Sequence, residues 1–377
     1  MKGKIFLCSN ILWAVINFRK ELIIALTEAG YLVSVIGSDE SFSDSISLEL
    51  EELNIEIIRV PLNRSGRNFL QEFVYFLRLL RIFRLSEPDL VLFFSVKPNI
   101  YGSIACRILK IKYINTINGL GSGIIHNNLT SWLIRRLYSI SLKASCKVLF
   151  QNNDDKAYFL ERKLIMAEKA GYVPGSGINT EKYNMPVKRI SEKRTFLFAG
   201  RILKDKGIYE YIEAIKVLKR ESNVDAEFLL GGIIDKSNPS SVSFDEIKQW
   251  ESMNIIGFLG KTDNIKDFFE KADIIILPSY REGLSRLLLE AASCGKPIIT
   301  TDVPGCKDLV KDGFNGFLCE PKDVKSLMGA MGKAINASAS ELLKLGANGR
   351  NLVKDKFSDK IVSQVYLDQI KECLKRN

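Results

Sequence analysis

Two carboxylates eight residues apart lie in the segment PSYREGLSRLLLEA (278–291), directly after a short apolar run. Glu282 stands in the polar part of the segment, and Glu290 stands among Leu and Ala residues of a helical pattern. A carboxylate in apolar surroundings needs a partner, because an isolated buried charge is costly. One carboxylate could accept hydrogen bonds from sugar hydroxyls, and the other from the two hydroxyls of a ribose. Gly283 and Leu284 lie near the predicted helix start, where N–H groups point outward; the alternative is a surface loop with Glu290 facing solvent.

A second segment, FAGRILKDKG (198–207), could bind phosphate groups. Gly200 and Arg201 follow a predicted strand, and Lys206 comes just before a predicted helix. Two positive charges beside the free N–H groups of a helix N-terminus suit a diphosphate. Gly305 lies at a predicted turn after another strand, where its backbone could approach a phosphate. Taken alone, each of these stretches could instead be an ordinary solvated loop.

Short apolar runs of the strand type alternate with longer helical patterns along the chain, which predicts parallel sheets covered on both faces. The predicted strands are 4–8, 31–36, 55–60, 90–94, 112–117, 147–151, 195–199, 226–230, 255–259, 274–277, 297–301 and 316–319, and the chain ends in a predicted helix, 359–374. Pro, Gly and Asn residues in 173–186 interrupt the rhythm and predict a linker between two doubly wound α/β domains. Ligands of such sheets bind at the carboxyl ends of strands, where the two segments above lie.

Taken together, the motifs resemble those of glycosyltransferase family 4, the retaining enzymes of the GT-B fold. The resemblance covers nearly the whole chain and is most specific from 173 to 320. It rests on Gly200-Arg201…Lys206-Gly207, Glu282-Gly-Leu…Glu290-Ala, Gly295-Lys-Pro, Thr301-Asp-Val-Pro-Gly, Asp312-Gly-Phe-Asn-Gly-Phe-Leu318 and Pro174-Gly-Ser-Gly-Ile-Asn179. It implies two Rossmann-like domains facing a cleft. An acceptor domain would cover 1–180, with a C-terminal helix in 359–377 crossing back to it, and a nucleotide-sugar domain would cover 181–358.

The resemblance also implies roles in a donor site. The matching positions are Gly200, Arg201, Lys206, Phe258, Glu282, Gly283, Leu284, Glu290 and Gly305. Arg201 and Lys206 would bind the donor diphosphate, and Glu282 with the backbone of the next two residues would hold the transferred sugar. Glu290 would bind the ribose, and the strand around Phe258 would lie against a uracil-type base. Such enzymes use no bound metal or further cofactor, so positive charge would stabilise the leaving diphosphate of a UDP-sugar.

Candidates for the acceptor side come from segments that resemble a bacterial subgroup acting on undecaprenyl-diphosphate sugars. Asn17 and Arg19 belong to an Asn-Phe-Arg sequence after the first strand, and Lys97 belongs to a Lys-Pro-Asn-x-Tyr-Gly sequence. An ordinary surface position is the alternative for Arg19. Asn118 and Gly119 lie near a position where many family members have a His that this chain lacks, so they are candidates to contact the transferred sugar.

The composition limits the chemistry and the compartment. Seven Cys without a C-x-x-C pair and a single His do not form a zinc-binding pattern, so free thiols in a reducing compartment are predicted. His126 lies in a polar loop, where a lone His is usually solvated. The N-terminus lacks the pattern of a signal peptide, and no apolar stretch reaches the ~18 residues of a transmembrane helix. A cytoplasmic protein is therefore expected.

Positive charge is concentrated in one part of the chain. Residues 59–147 carry fourteen Lys and Arg against three Asp and Glu, a net charge of +11 against +10 for the whole chain. The predicted helix 69–85 mixes Arg78, Arg81 and Arg84 with many apolar residues. Basic helices of this kind can lie on the anionic inner leaflet of a membrane; a core-facing helix with a solvated basic rim is the alternative. Nucleic acid is not expected as a partner, because no recognised motif for it is present.

The leading hypothesis is a retaining hexosyl- or N-acetylhexosaminyltransferase. It would move a sugar from a UDP-sugar to an undecaprenyl-diphosphate-linked saccharide during surface-polysaccharide assembly, as a peripheral protein of the inner membrane. A sugar-nucleotide epimerase on the same fold is one alternative, but it would need acid and base groups that a single His hardly supplies. A non-catalytic sugar-nucleotide-binding protein is another, although Glu282 and Arg201 are both present. The absence of G-x-G-x-x-G after the first strand disfavours a nicotinamide dehydrogenase.

Overall fold

The computed structural model describes residues 2–39, 53, 55–62, 69–125, 128–186, 190–221, 224–235 and 238–375. His126 lies outside these ranges, and so does most of 44–53, where the sequence pattern predicts a helix. The chain divides into two compact units. The first unit comprises Met1–Gly177 together with Asp359–Asn377, and the second comprises Ile178–Ser358.

The first unit is built on a seven-stranded, fully parallel sheet with the order β3-β2-β1-β4-β5-β6-β7. Its elements up to the boundary are β1 Lys4–Ile11, α1 Leu12–Glu28, β2 Leu32–Ser38, β3 Glu56–Arg59, α2 Phe69–Ser86, β4 Leu90–Phe94, α3 Ser103–Leu109, β5 Lys112–Ile117, α4 Ser122–Ile125, α5 Leu129–Leu142, β6 Lys147–Phe150, α6 Asn153–Glu161 and β7 Ala170–Tyr172. A π-helical turn, Pro98–Gly102, precedes α3. Strands such as β4 are buried along their whole length, as expected for a parallel sheet with helices on both faces.

The second unit has a six-stranded parallel sheet with the order β10-β9-β8-β11-β12-β13. Its elements are β8 Arg194–Arg201, α7 Ile208–Glu221, β9 Ala226–Ile233, α8 Phe244–Ser252, β10 Gly257–Gly260, α9 Ile265–Lys271, β11 Ile274–Leu277, α10 Arg286–Ser293, β12 Ile298–Thr301, β13 Gly316–Cys319, α11 Val324–Asn336 and α12 Ala339–Lys356. A 3-10 turn, Lys204–Lys206, lies between β8 and α7. The predicted α/β fold of two doubly wound, GT-B-like units is confirmed.

The last helix, α13 (Asp359–Lys375), belongs to the first unit. It packs with α1 in the hydrophobic cluster on one face of the sheet. Its Tyr366 is fully buried, lies edge-on to Phe94 with ring centroids 6.0 Å apart, and shares a 2.9 Å hydrogen bond with Thr116. Both ends of the chain therefore build the same core. None of the helices described is both long and apolar enough to cross a bilayer.

Two cysteines of the first unit are joined in a disulfide. Cys146, just before β6, is bonded to Cys373 in α13, 227 residues further along the chain. The prediction that all the thiols are free is therefore wrong for this pair. Spacing could not reveal it, because the two residues meet only when α13 packs back on the sheet. The other five cysteines are free and buried.

The start of the chain also differs from the prediction. β1 continues to Ile11, which is paired with Ser38 of β2, and α1 begins at the next residue. The first strand, predicted to cover 4–8, thus extends to Ile11. Asn17 and Arg19 lie within α1.

Candidate functional site

The candidate site of the second unit lies at the point in the sheet where the order of the strands reverses. β8 and β11 are neighbours, whereas β9 lies on the far side of β8 and β12 on the far side of β11. In a doubly wound sheet, the carboxyl ends of two such strands form a crevice that binds ligands. The loops after β8 and β11 meet there, and the Tyr280 N–H donates to the Asp205 carbonyl over 2.9 Å.

These loops bring together Lys206 and Glu282, which are 76 residues apart in the sequence. The Lys206 Nζ lies 2.5 Å from the Glu282 Oε1, and each side chain is only 16% exposed. Gly207 makes the approach of the loops possible. It has φ +76°, and a Cβ there would lie 2.0 Å from the carbonyl oxygen of Pro278. The sequence predicted both charged residues for one site, and the structure places them in contact.

The loop after β12 supports the Glu282 backbone. The Glu282 N–H donates to the Pro304 carbonyl, and the Ser285 N–H donates to the Gly305 carbonyl, each over 3.0 Å. Gly305 has φ +78°, and a Cβ there would lie 2.5 Å from the carbonyl oxygen of Glu282. Its own N–H donates to the Asp308 carboxylate over 2.8 Å. Gly305 therefore positions Glu282, and its amide is already used within the protein.

The helix after Glu282 begins close to Gly283 and Leu284, as predicted. α10 starts at Arg286, and its N-cap Ser285 accepts a hydrogen bond from the Leu288 N–H. Gly283 and Leu284 thus form the link between the carboxylate and the cap rather than the first helical turn. The link is short enough that the position of the helix fixes the position of Glu282.

Arg201 stands apart from the lysine–glutamate pair. Its side chain is half exposed, and one Nη lies 3.9 Å from the Asp235 carboxylate. In the part of the chain that the structure describes, it forms no hydrogen bond or ion pair with Lys206 or Glu282. The residue before it, Gly200, has φ +124°. Gly200 and Arg201 are thus the last two residues of β8 rather than residues that follow the strand, and the Arg201 charge faces solvent.

Glu290 has two partners inside the protein. Its Oε1 accepts hydrogen bonds from Arg286 Nε over 2.8 Å and from the Tyr183 hydroxyl over 2.9 Å. Burial and the nearby Glu290 charge raise the pKa of Tyr183 to about 12, so the phenol stays protonated and donates. The alternative prediction, that Glu290 faces solvent, is therefore wrong. The Arg286 contact has the helical i,i+4 spacing and could have been found from the sequence, whereas Tyr183 is 107 residues away.

Phe258 lies in the edge strand β10 and is partly buried. Its N–H donates to the Glu251 carboxylate over 3.1 Å, and its ring centroid lies 6.4 Å from that of Phe244. The backbone N–H predicted to lie against a base is therefore already bonded within the second unit.

In the first unit, the structure brings together two of the acceptor-side candidates. Arg19 donates from Nη2 to the Asn118 Oδ1 over 3.2 Å, and its guanidinium lies 4.6 Å from the Phe94 ring centroid. Arg19 is only 4% exposed, so the surface alternative is wrong. Asn118 also accepts from Gln151 Nε2 over 3.2 Å. Gly119 follows in the left-handed region with φ +132°.

The other acceptor-side candidates have different surroundings. Lys97 Nζ lies 2.5 Å from Glu72 Oε1 of α2, with both side chains largely buried. Burial and the Glu72 charge raise the pKa of Tyr101, in the adjacent turn, to about 12. Asn17 is exposed on α1, and its amide donates to the Trp13 carbonyl. Sequence reasoning missed Glu72, because no local pattern connects α2 with the turn after β4.

No group of three or more His, Cys, Asp or Glu side chains in the described ranges is placed to hold a metal ion. Lys206 and Glu282 form the ion pair of the candidate site. Such a pair can exchange its mutual contact for an anionic ligand at the lysine and a hydroxyl-bearing ligand at the carboxylate.

Two family models match this chain and together span most of it. A model described as glycosyl transferases group 1 matches residues 180–352, and one described as glycosyl transferase 4-like matches residues 4–152. This chain belongs to the glycosyltransferases. The match to the group 1 model contains Lys206, Glu282 and Glu290, so the candidate site lies in a recognised glycosyltransferase domain.

Similar proteins include two bacterial glycosyltransferases. The first, N,N'-diacetylbacillosaminyl-diphospho-undecaprenol alpha-1,3-N-acetylgalactosaminyltransferase of Campylobacter jejuni, is 27% identical over 94% of each chain. The second, UDP-Gal:alpha-D-GlcNAc-diphosphoundecaprenol alpha-1,3-galactosyltransferase of Escherichia coli, is 24% identical over 82% of this chain and 83% of that protein. A crystal structure of a glycosyltransferase from Rickettsia africae shares the fold, with a TM-score of 0.78 and 21% identity over 100% of this chain and 99% of that one.

Proposed function

We propose that this glycosyltransferase transfers a hexosyl or N-acetylhexosaminyl group from a UDP-sugar to a saccharide carried on a lipid diphosphate, with retention of anomeric configuration. The proposed role is the assembly of a surface polysaccharide. Its main support is the Lys206–Glu282 contact at the ends of β8 and β11. The name of the Escherichia coli relative, which includes UDP-Gal and a diphosphoundecaprenol acceptor, supports the same class of substrates.

On the donor side, Lys206 would turn from Glu282 to the diphosphate, and Arg201 would add its solvent-facing charge. Positive charge at this place stabilises the UDP that leaves. Glu282, released from the ion pair, would accept hydrogen bonds from the hydroxyls of the sugar. Glu290, held in orientation by Arg286 and Tyr183, keeps acceptor capacity on its second oxygen for the ribose hydroxyls.

The proposed chemical step is a displacement on one face of the sugar. The bond between the anomeric carbon and the β-phosphate oxygen breaks, and the acceptor oxygen bonds to the same carbon from the same side. The proton of the acceptor hydroxyl passes to an oxygen of the departing diphosphate, so no protein base is needed. No metal ion takes part in this proposal, because Lys206 and Arg201 supply the positive charge.

On the acceptor side, Arg19, Asn118 and Gly119 form the best-connected of the predicted groups. Arg19 is buried and held by an aromatic ring and an amide, so its orientation is fixed before any ligand binds. Lys97 is paired with Glu72. We assign these residues to acceptor recognition, which places a lipid-linked saccharide against the first unit.

A lipid-linked acceptor also requires the enzyme to work at a membrane surface. On α2, the residues Arg78, Arg81 and Arg84 are all exposed, and so are Phe69, Leu70 and Phe73 near the start of the helix. A helix that exposes both cations and large apolar side chains suits an anionic interface. We propose that α2 lies on the inner leaflet as part of peripheral attachment.

A thermal-shift screen tests the donor assignment. The protein would be measured with UDP, GDP, ADP and a panel of UDP-sugars, each with and without EDTA. A ligand that binds only the native state, at a concentration of about one hundred times its Kd, stabilises the protein by about 2.7 kcal/mol. Binding should therefore be visible as a higher unfolding temperature. We expect stabilisation by UDP and by one class of UDP-sugar that persists in EDTA. Stabilisation by no uridine nucleotide would contradict the donor assignment, and loss of the shift in EDTA would contradict its independence of metal.

A further inference from the structure

A concave surface of the first unit lies outside the residues assigned above. It is a pocket of about 430 Å³ between α5 and the turn that follows α6. Four of its lining residues are cations, Arg135, Arg136, Arg162 and Lys163, and none of its lining residues is acidic. A concave lining whose charged residues are all cations favours an anionic ligand.

Aromatic rings position two of these cations. The Arg136 guanidinium lies 5.5 Å from the Trp132 ring centroid, and the Arg162 guanidinium lies 3.9 Å from that of Tyr158. A guanidinium stacked on a ring keeps its N–H groups in its own plane, where they can bind phosphate oxygens in pairs. Within the described ranges, neither arginine forms an ion pair with a carboxylate, so their charge is not neutralised by the protein.

The third cation of this group occupies an unusual backbone position. Lys163 has φ +54°, in the left-handed region that ends many helices and that usually holds Gly or Asn. Its N–H donates to the Leu160 carbonyl, and the next N–H donates to the Phe159 carbonyl, which closes α6. A non-glycine residue in this backbone conformation costs conformational free energy that glycine would not. The lysine at this position also adds a positive charge to the pocket.

The helix that lines the pocket also exposes an apolar stripe. Leu129, Trp132, Leu133 and Ile140 of α5 are each between 50% and 80% exposed. Their spacing of three, four and seven residues places them along one side of the helix. Trp132 belongs to both the stripe and the pocket. An apolar stripe beside a cationic pocket matches an amphiphile with an anionic head.

We propose that this pocket binds the phosphate head of an anionic membrane phospholipid, with the apolar stripe of α5 in the interfacial layer of the bilayer. It is a lipid-binding site separate from the donor and acceptor residues, and it goes beyond the transfer reaction. Unlike diffuse attraction by surface charge, it is a discrete site with a fixed set of cations. Its occupancy should therefore depend on these particular side chains and not only on net charge.

Vesicle co-sedimentation of the full chain tests the proposal. Wild type, the pair Arg136→Gln and Arg162→Gln, and the control pair Lys360→Gln and Lys371→Gln would be compared on phosphatidylglycerol–phosphatidylcholine vesicles. The control cations are exposed on α13 of the same unit, so both variants lose the same charge. We expect an about tenfold or greater loss of partitioning in the pocket pair, and less than about threefold in the control. Trp132→Ala should also weaken binding.

Stabilisation by UDP should be unchanged in the pocket pair, which shows that it is folded and separates this proposal from the donor assignment. Equal loss in the pocket and control pairs would overturn the proposal in favour of diffuse charge, and so would no binding of wild type to anionic vesicles. A competition with inorganic diphosphate tests the source of the phosphate. If dilute diphosphate releases wild type fully from vesicles and binds the pocket pair more weakly, the site serves a soluble anion and the lipid assignment is wrong.

Discussion

Lys206 and Glu282 pair with each other in the structure, and this contact shapes what each side chain can bind. Both side chains are mostly shielded from water, so their interaction is screened less than that of a surface pair. In the proposed function, a diphosphate would replace the carboxylate as the partner of Lys206. Glu282 would then need new donors, which the hydroxyls of a sugar could supply. Binding of the two halves of the proposed donor would thereby be coupled.

Lys206→Met keeps most of the side-chain volume and removes the charge. We expect its affinity for UDP to fall by about 10- to 100-fold, because a hydrogen bond to a charged group contributes about 1.5–3 kcal/mol. Isothermal titration calorimetry with UDP measures this. Lys204→Met is the matched control, since Lys204 lies in the same 3-10 turn but is exposed. Equal affinities for UDP in wild type and the Lys206 variant would remove Lys206 from the diphosphate site.

Among single residues, the sequence predicted those that follow the ends of strands and missed those that other segments of the chain contribute. Lys206 and Glu282 each follow a recognisable buried strand, so parallel topology alone brings them to one edge. Tyr183 and Glu72 reach their partners from segments with no local signal. Burial of Arg19 was equally hidden, because it depends on Tyr366 of a helix at the other end of the chain.

Among the elements, the close approach of the loops after β8 and β11 depends on a glycine. Gly207→Ala would place a Cβ 2.0 Å from the Pro278 carbonyl oxygen at a φ of +76°. Backbone strain of this kind costs about 1–3 kcal/mol, and the clash adds to it. We expect a lower midpoint of thermal unfolding and weaker stabilisation by UDP.

Gly329→Ala is the control for this substitution, because Gly329 lies within α11 and a Cβ there would have nothing within 4 Å. It should raise stability by about 0.5–1 kcal/mol, since Gly is a poorer helix former than Ala. Differential scanning calorimetry of both variants makes the comparison. If Gly207→Ala were as stable as wild type, the two loops would not be packed as described.

The role of α2 is tested by charge reversal. Arg78→Glu, Arg81→Glu and Arg84→Glu together should lower partitioning onto anionic vesicles by at least about tenfold, as each cation near such a surface contributes about 1 kcal/mol. Co-sedimentation at two salt concentrations gives the measurement. The control variant has the same change of charge on α13, with Lys360→Glu, Lys371→Glu and Lys375→Glu. An equal loss of partitioning in the control would show that α2 is an ordinary solvated helix and not a membrane-binding one.

Most element types could be predicted from apolar runs, but the short strand β7 and several boundaries, among them the end of β1, could not. Ser9 and Asn10 are polar, and the sequence predicts that the first strand ends before them. In the structure, β1 continues through them because Ile11 still pairs with β2, and Ser9 shares a 2.8 Å hydrogen bond with Ser95. Polar residues at the carboxyl end of a central strand can thus remain in the sheet when neighbouring loops satisfy them.

For the molecule as a whole, the first unit is completed only by the last helix of the chain. The disulfide between Cys146 and Cys373 ties α13 to the start of β6. Alkylation of the denatured, unreduced protein should therefore modify five of the seven cysteines. After reduction, all seven should be modified. Intact mass spectrometry counts them. Seven modified thiols without reduction would show that the bond does not form in the purified protein.

The most direct test of the proposed function is single-turnover transfer from the UDP-sugar selected by the donor screen to a lipid-diphosphate saccharide, with wild type and Glu282→Gln compared. Glu320→Gln, an exposed carboxylate after β13, is the control. Loss of one stabilising group in a transfer site lowers the rate by about 100- to 1000-fold. We predict a loss of that size in Glu282→Gln, with UDP still binding, and wild-type rates in the control. Undiminished transfer by Glu282→Gln would contradict the assignment of this site.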